Sequence, residues 1–185
     1  MVTSETTVIV GTLGSPPEDE MGDALFDDAV RGNRRALSRA MSRIDDCAPG
    51  ALQALSTLSP RRQLAPGVPF VLGVTGPPGA GKSTFTNLVV ARARSRGQRV
   101  AVLAVDPSSP FSGGAILGDR LRMEAHADDP DVFIRSLSSR GHLGGLSRAA
   151  GQVVQLLDAA DYDLIVVETV GVGQSELAVM EVADT

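Results

Sequence analysis

Between residues 69 and 169 the chain repeats one pattern four times. PFVLGVT (69–75), RVAVLAVD (99–106), VFIRS (132–136) and DLIVVET (163–169) are short, nearly continuous apolar runs. Runs of this length without regular polar alternation predict strands buried on both faces. The intervals are helical in pattern. Residues 81–96 read as a helix, and 145–160 as another, with Leu146, Ala149, Ala150, Val153, Val154 and Leu157 at helical spacing. A further helix begins near Gly173. Strands separated by helices predict right-handed crossovers and a mostly parallel sheet with helices on both faces, an α/β fold. Ligands of such sheets bind beyond the carboxyl ends of the strands.

Upstream the pattern changes. Residues 1–19, with SPPEDE, have little periodicity and read as a flexible leader. Residues 20–62 read as a helical arm: Leu25, Phe26, Ala29 and Val30 make one apolar face, and Leu37, Ala40, Met41 and Ile44 another. Pro49, Gly50 and Pro60 punctuate it. The α/β domain is expected over 66–185.

Composition narrows the classes. A chain of 185 residues with 43% hydrophobic content can bury a real core. The net charge of −5 gives no electrostatic case for nucleic acid or an anionic membrane. One tyrosine, five phenylalanines and no tryptophan leave few platforms for stacking single-stranded bases. No apolar run approaches the ~20 residues of a membrane span, and the N-terminus lacks the basic region of a signal peptide. The single cysteine, Cys47, allows no intramolecular disulfide and fits a reducing, cytoplasmic setting. It is expected as a small buried hydrophobe.

One residue stands out against this background. Lys82 is the only lysine; the other 16 basic residues are arginine. It sits in GPPGAGKS (76–83), which fits G-x-x-x-x-G-K-[ST] between a strand and a helix. The loop Gly76, Pro77, Pro78, Gly79, Ala80, Gly81, Lys82, Ser83 and Thr84 is therefore expected to wrap a phosphate with backbone N–H groups, aided by the helix N-terminus. Lysine suits the site because a compact ammonium on a thin stem can reach the outer phosphates, whereas a broad guanidinium cannot follow the same path. A glycine-rich turn without function is the alternative, and the strand–loop–helix context argues against it.

A phosphate site needs magnesium, which takes oxygen ligands, often one or two carboxylates with water. Ser83 offers a hydroxyl. Asp106 and Glu168 end the second and fourth strands. Each could be a plain strand-end residue, but both fall at the sheet's carboxyl edge with the loop. Glu168-Thr-Val-Gly171 matches D-x-x-G with Glu for Asp, and the longer side chain suggests a metal contact through water. Gly171 could sense a terminal phosphate through its backbone N–H. Gln174 could orient a water or simply open a helix.

Three segments carry a family resemblance: DPSSPFSGGAILGDRLRM (106–123), RSLSSRGHLGGLSRA (135–149) and VVETVGVGQSE (166–176). Together with the loop they closely resemble the methylmalonyl-CoA mutase-associated GTPases, the MeaB/ArgK/MMAA group, over roughly residues 68–185. The resemblance implies a P-loop NTPase fold and hydrolysis of GTP to GDP with Mg2+. It implies an adenosylcobalamin-dependent acyl-CoA mutase as partner, whose cofactor loading and reactivation the family gates, and a homodimer. By position it makes Lys82 and Glu168 catalytic, and Ser83, Asp106, Asp119 and Glu168 the metal-side residues. Segments 108–114 and 171–176 look like switches.

One departure matters. The family's guanine-specificity motif, N-K-x-D, cannot occur here, because the one lysine is in the loop. The chain reads as a truncated G domain that also lacks the dimerisation region, with an exposed sheet edge as a liability. Two other classes share the loop. An ATP-dependent small-molecule kinase would need a lid and is opposed by ETVGVGQ. A nickel metallochaperone GTPase would need His and Cys ligands, and two histidines with one distant cysteine do not supply them. His126 reads as a surface or helix-end residue, and His142 as a neighbour of the nucleotide. Arg31, Arg35, Arg39 and Arg43, four apart, read as one basic helical stripe, solvated and paired with acids such as Asp27 or Asp45, or as a docking face.

Overall fold

The computed structural model describes residues 18–58, 69–106, 126, 128–138, 145–169 and 175–185. Three helices come first: α1 (Glu18–Val30), α2 (Arg34–Asp45) and α3 (Ala51–Thr57). Then follow β1 (Phe70–Val74), α4 (Lys82–Arg94), β2 (Val100–Asp106), β3 (Val132–Ser138), α5 (Gly145–Ala159), β4 (Leu164–Thr169) and α6 (Ser175–Val182). All four expected strands form, and β3 runs to Ser138, past the expected limit at 136. Leader residues 1–17, Pro60 and His142 lie outside the described residues.

The strands make one parallel sheet in the order β1-β4-β2-β3. Its two faces are separate apolar layers, sorted by the two-residue period of each strand. Leu164 and Val166 of β4, with Val100 and Val102 of β2, face α4 and pack on Val90 and Ala93. Ile165, Val167, Ala101, Leu103 and Val105 face the other way, onto α5, α6 and the N-terminal helices. Phe26, Ala29, Leu37, Ala40, Met41 and Ile44 belong to that second layer, so the arm and the sheet share one core. Burying a residue such as Leu103, fully enclosed there, contributes about 1.5–3 kcal/mol.

Local chemistry sets the arm's boundaries. Asn33 caps α2: its Oδ1 accepts from the N–H groups of Arg35 and Ala36, each at 3.1 Å. Gly50 opens α3 with φ 74°. This geometry corrects the arginine stripe. Arg31 falls in the turn between α1 and α2, not on α2 with Arg35, Arg39 and Arg43. Its guanidinium lies 3.7 Å from Asp27 and 3.9 Å from Asp28, in exposed pairs that stabilise little. Cys47 also differs from expectation. It is exposed, in the turn after α2, with φ 50°. His126 is half-buried in a short helical turn.

At the amino ends of the strands, arginines fasten the layers. Arg34 donates to the carbonyls of Asp129, Pro130 and Val132, at 3.1, 3.0 and 2.7 Å. Arg94 pairs with Asp129 at 2.9 Å and Asp131 at 2.8 Å. Those bonds hold the Asp129 carboxyl below its ordinary range, the Arg94 hydrogen bond contributing most and the backbone bond from Asp131 next. Arg99 lies 4.8 Å from the ring centroid of buried Tyr162.

The outer edge of β1 carries partners of its own. Asp184 N–H donates to the Val71 carbonyl at 2.8 Å, and Gly73 N–H to the Thr185 carbonyl at 2.7 Å. Val71 N–H donates to the Asp184 carboxylate at 2.9 Å. These three bonds, all with Asp184 and Thr185, engage Val71 and Gly73 of that edge. Gly73 permits the approach: a Cβ there would lie 2.7 Å from Val179 Cγ1 on α6.

Candidate nucleotide-binding site

The loop leaves β1 at Val74 and enters α4 at Lys82. Gly76, Gly79 and Gly81 have φ of 138°, 77° and 87°, values at which a side chain is strained. A Cβ at any of the three would meet nothing within 4 Å, so the dihedral and not crowding demands glycine. Gly81 is the N-cap of α4 and brings no capping side chain. No N-cap side chain therefore occupies the N–H groups of the first turn.

Lys82 crosses that loop. Its Nζ donates to the carbonyls of Gly76 at 2.7 Å and Pro77 at 3.1 Å. The two acceptors sit on the strand-side limb of the loop, so the ammonium spans it from helix to strand. The arm of a lysine, with its charge at a point, is what this span requires.

Glu168 reaches the loop from the sheet. On β4 it stands opposite Val74 of β1 and Ala104 of β2, between those two strands at their carboxyl ends. Its place in the alternation is that of Leu164 and Val166, on the α4 face. Ser83 opens the sheet-facing stripe of α4 that continues through Thr86, Val90 and Ala93. Glu168, 6% exposed as a residue, meets that stripe with its carboxylate. Oε1 accepts from the Ser83 hydroxyl at 2.7 Å and Oε2 from the Thr86 hydroxyl at 2.8 Å. Thr75, at the root of the loop, has its hydroxyl oxygen 3.5 Å from that of buried Thr169, the residue after Glu168.

The structure therefore brings together Gly76 through Thr84 and Glu168. Asp106 ends β2 beside Ser138 of β3, at the same carboxyl edge of the sheet. Asp119, Gly171 and Gln174 lie outside the described residues. Thr86 was missed by sequence reasoning. Its signal was the spacing Ser83-x-x-Thr86, which puts two hydroxyls on one helix face, combined with the alternation in β4.

The donors suit a small hard cation carried by a phosphate. They are oxygens only, a hydroxyl and a carboxylate, close to an ammonium and a helix N-terminus. Among the described residues no group of three or more His, Cys, Asp or Glu could hold a metal by itself. Magnesium does not need one, since it commonly takes one or two protein oxygens together with phosphate oxygens.

A parallel sheet between helices, a glycine loop closing onto a helix, and a lysine and an acid facing that loop define a P-loop nucleoside-triphosphate-binding fold. Within that class the chain belongs to the family described as methylmalonyl Co-A mutase-associated GTPase MeaB, whose model matches residues 37–185 and so takes in most of α2 and all of α3. GTPase ArgK of Escherichia coli is 48% identical over 160 residues, 83% of this chain and 46% of that protein. The mitochondrial methylmalonic aciduria type A homolog of Mus musculus is 39% identical over 180 residues, 92% of this chain and 43% of that one. A crystal structure described as a LAO/AO transport system kinase is similar at a TM-score of 0.58 with 33% identity, covering 91% of this chain and 48% of the other. The chain spans about half the length of the curated relatives it matches. Among its described residues no helix is long and apolar enough to cross a membrane.

Proposed function

We propose that this chain forms the phosphate- and magnesium-handling part of a GTP-hydrolysing chaperone in the cytoplasm. Its partner would be an adenosylcobalamin-dependent acyl-CoA mutase, whose cofactor loading and reactivation it gates. The observation that carries the nucleotide reading is the joining of Ser83 to Glu168 at 2.7 Å, beside a lysine that spans the loop. The family description, which names a mutase, and the kinship with a methylmalonic aciduria protein support the choice of partner. A homodimer is the family's expectation.

In this reading the loop N–H groups of Gly76 to Thr84 cradle the phosphates, and Lys82 neutralises charge on the outer ones. Ser83 would hold Mg2+ through its hydroxyl, Glu168 would orient that hydroxyl, and Asp106 and Asp119 would stand on the metal side. Mg2+ held there would supply charge neutralisation at the phosphates. Gly171 would report a terminal phosphate through its N–H. Catalysis is then mostly positioning and charge neutralisation, and turnover is slow until the mutase is bound.

Equilibrium binding of GDP and ADP in the presence of magnesium tests the nucleotide assignment. Guanine preference supports it, and strong adenine preference promotes a small-molecule kinase. Stimulation of GTP hydrolysis by a mutase tests the partner, and its absence in a full-length relative-sized protein would count against the chaperone role.

A further inference from the structure

The two oxygens of Glu168 have different donors. Ser83, at Oε1, is half-buried next to the loop, while Thr86, at Oε2, is fully enclosed one turn further along α4. Packing alone would favour valine at position 86, since the next members of the same stripe are Val90 and Ala93. A threonine hydroxyl inside a helix ordinarily bonds back to a carbonyl of the preceding turn. Here it reaches across to the sheet.

We propose that Thr86 is a positioning residue for the metal side of the site, an inference that rests on the magnesium-nucleotide reading above. With Oε2 held by Thr86, the carboxylate cannot turn about its terminal bond, and Oε1 stays directed at Ser83. The Ser83 hydroxyl has one proton, which it gives to Oε1, so its lone pairs remain for a cation. Thr86 thereby fixes, through Glu168, the direction in which Ser83 offers its oxygen. Outer partners of this kind commonly change metal affinity by about 10- to 100-fold.

The test is GDP binding by the whole chain across a magnesium titration and again in excess chelator. Thr86→Val should raise the half-saturating magnesium about tenfold, while Thr86→Ser should match the unaltered chain. In a Glu168→Gln background, Thr86→Val should add no further shift. An unchanged magnesium half-saturation in Thr86→Val overturns the inference, as does an equal loss of GDP affinity with and without chelator, which marks a packing role. If Thr86→Val does not fold, Thr86→Cys, close in size with a weak S–H donor, carries the same comparison. An unaltered chain whose GDP binding ignores magnesium overturns the functional reading itself. A magnesium-dependent chain indifferent to Thr86→Val overturns only the role of Thr86.

Discussion

The Lys82 ammonium lies 2.7 Å from the carbonyl oxygen of Gly76, six residues back along the chain. In the proposed reading, a phosphate on the loop would compete with that carbonyl and with Pro77 for the same charge. Lys82→Ala should therefore weaken GDP binding by roughly 10- to 100-fold, the worth of a charged hydrogen bond of about 1.5–3 kcal/mol. Isothermal titration with magnesium present measures it. Thermal unfolding should barely move, because the side chain is not part of either apolar layer. Lys82→Arg should fail to restore binding, since the guanidinium is too broad for the span.

Met41 tests the union of arm and sheet. It is fully buried in the layer that also holds Leu103 and Val167. Met41→Ala should cost about 2–5 kcal/mol. Urea unfolding followed by circular dichroism should still show a single transition. An early separate phase for α1–α3 would mean that the arm does not share the sheet's core.

Gly73 is limited by space. An alanine there places its Cβ 2.7 Å from Val179 Cγ1 and 3.0 Å from the Ala183 Cβ. Gly73→Ala should destabilise by about 1–3 kcal/mol, the usual cost of overpacking. Gly73→Val should cost more, and Gly73→Ala with Val179→Ala should recover part of the loss. Equal denaturation midpoints for all three chains would refute the close approach of α6 to β1.

Tyr162 supplies a pH dependence. Burial raises its phenol above the ordinary 10.0, partly offset by the nearby charge of Arg99. A raised folded value means that its contribution to stability is complete below about pH 10 and is lost as pH rises through the folded value. The melting temperature should fall in that alkaline range, and Tyr162→Phe should flatten the fall. Melting curves taken from pH 8 to 11 decide it.

Much of this was legible in the chain because it is local. The four apolar runs are long enough to be strands and too short to be helices, and GPPGAGKS declares both its turn and the helix it opens. Glu168 could be found as the last acid of a buried run. Thr86 was harder to see: the Ser83-x-x-Thr86 spacing sets two hydroxyls on one helix face, but its partner depends on which face of β4 meets which face of α4, a fact of packing between residues 82 apart. The arginine stripe misled for a related reason. Four-residue spacing from Arg31 to Arg43 ignores Asn33, whose side chain caps a new helix and breaks the register. Cys47 was expected inside on the average behaviour of cysteine, but a turn with positive φ holds it outside.

The alternation along β4 has one more consequence. Leu164, Val166 and Glu168 share a face because they are separated by even steps, and every residue of the strand is buried. Insert one residue after Leu164, and Glu168 turns over to the layer of Leu103 and Val153, away from Ser83 and Thr86. The strand would keep its hydrophobicity, yet the acid would be lost to the loop. The site therefore depends on parity, a whole-number property of the chain that no series of single substitutions would reveal and that one inserted codon would destroy.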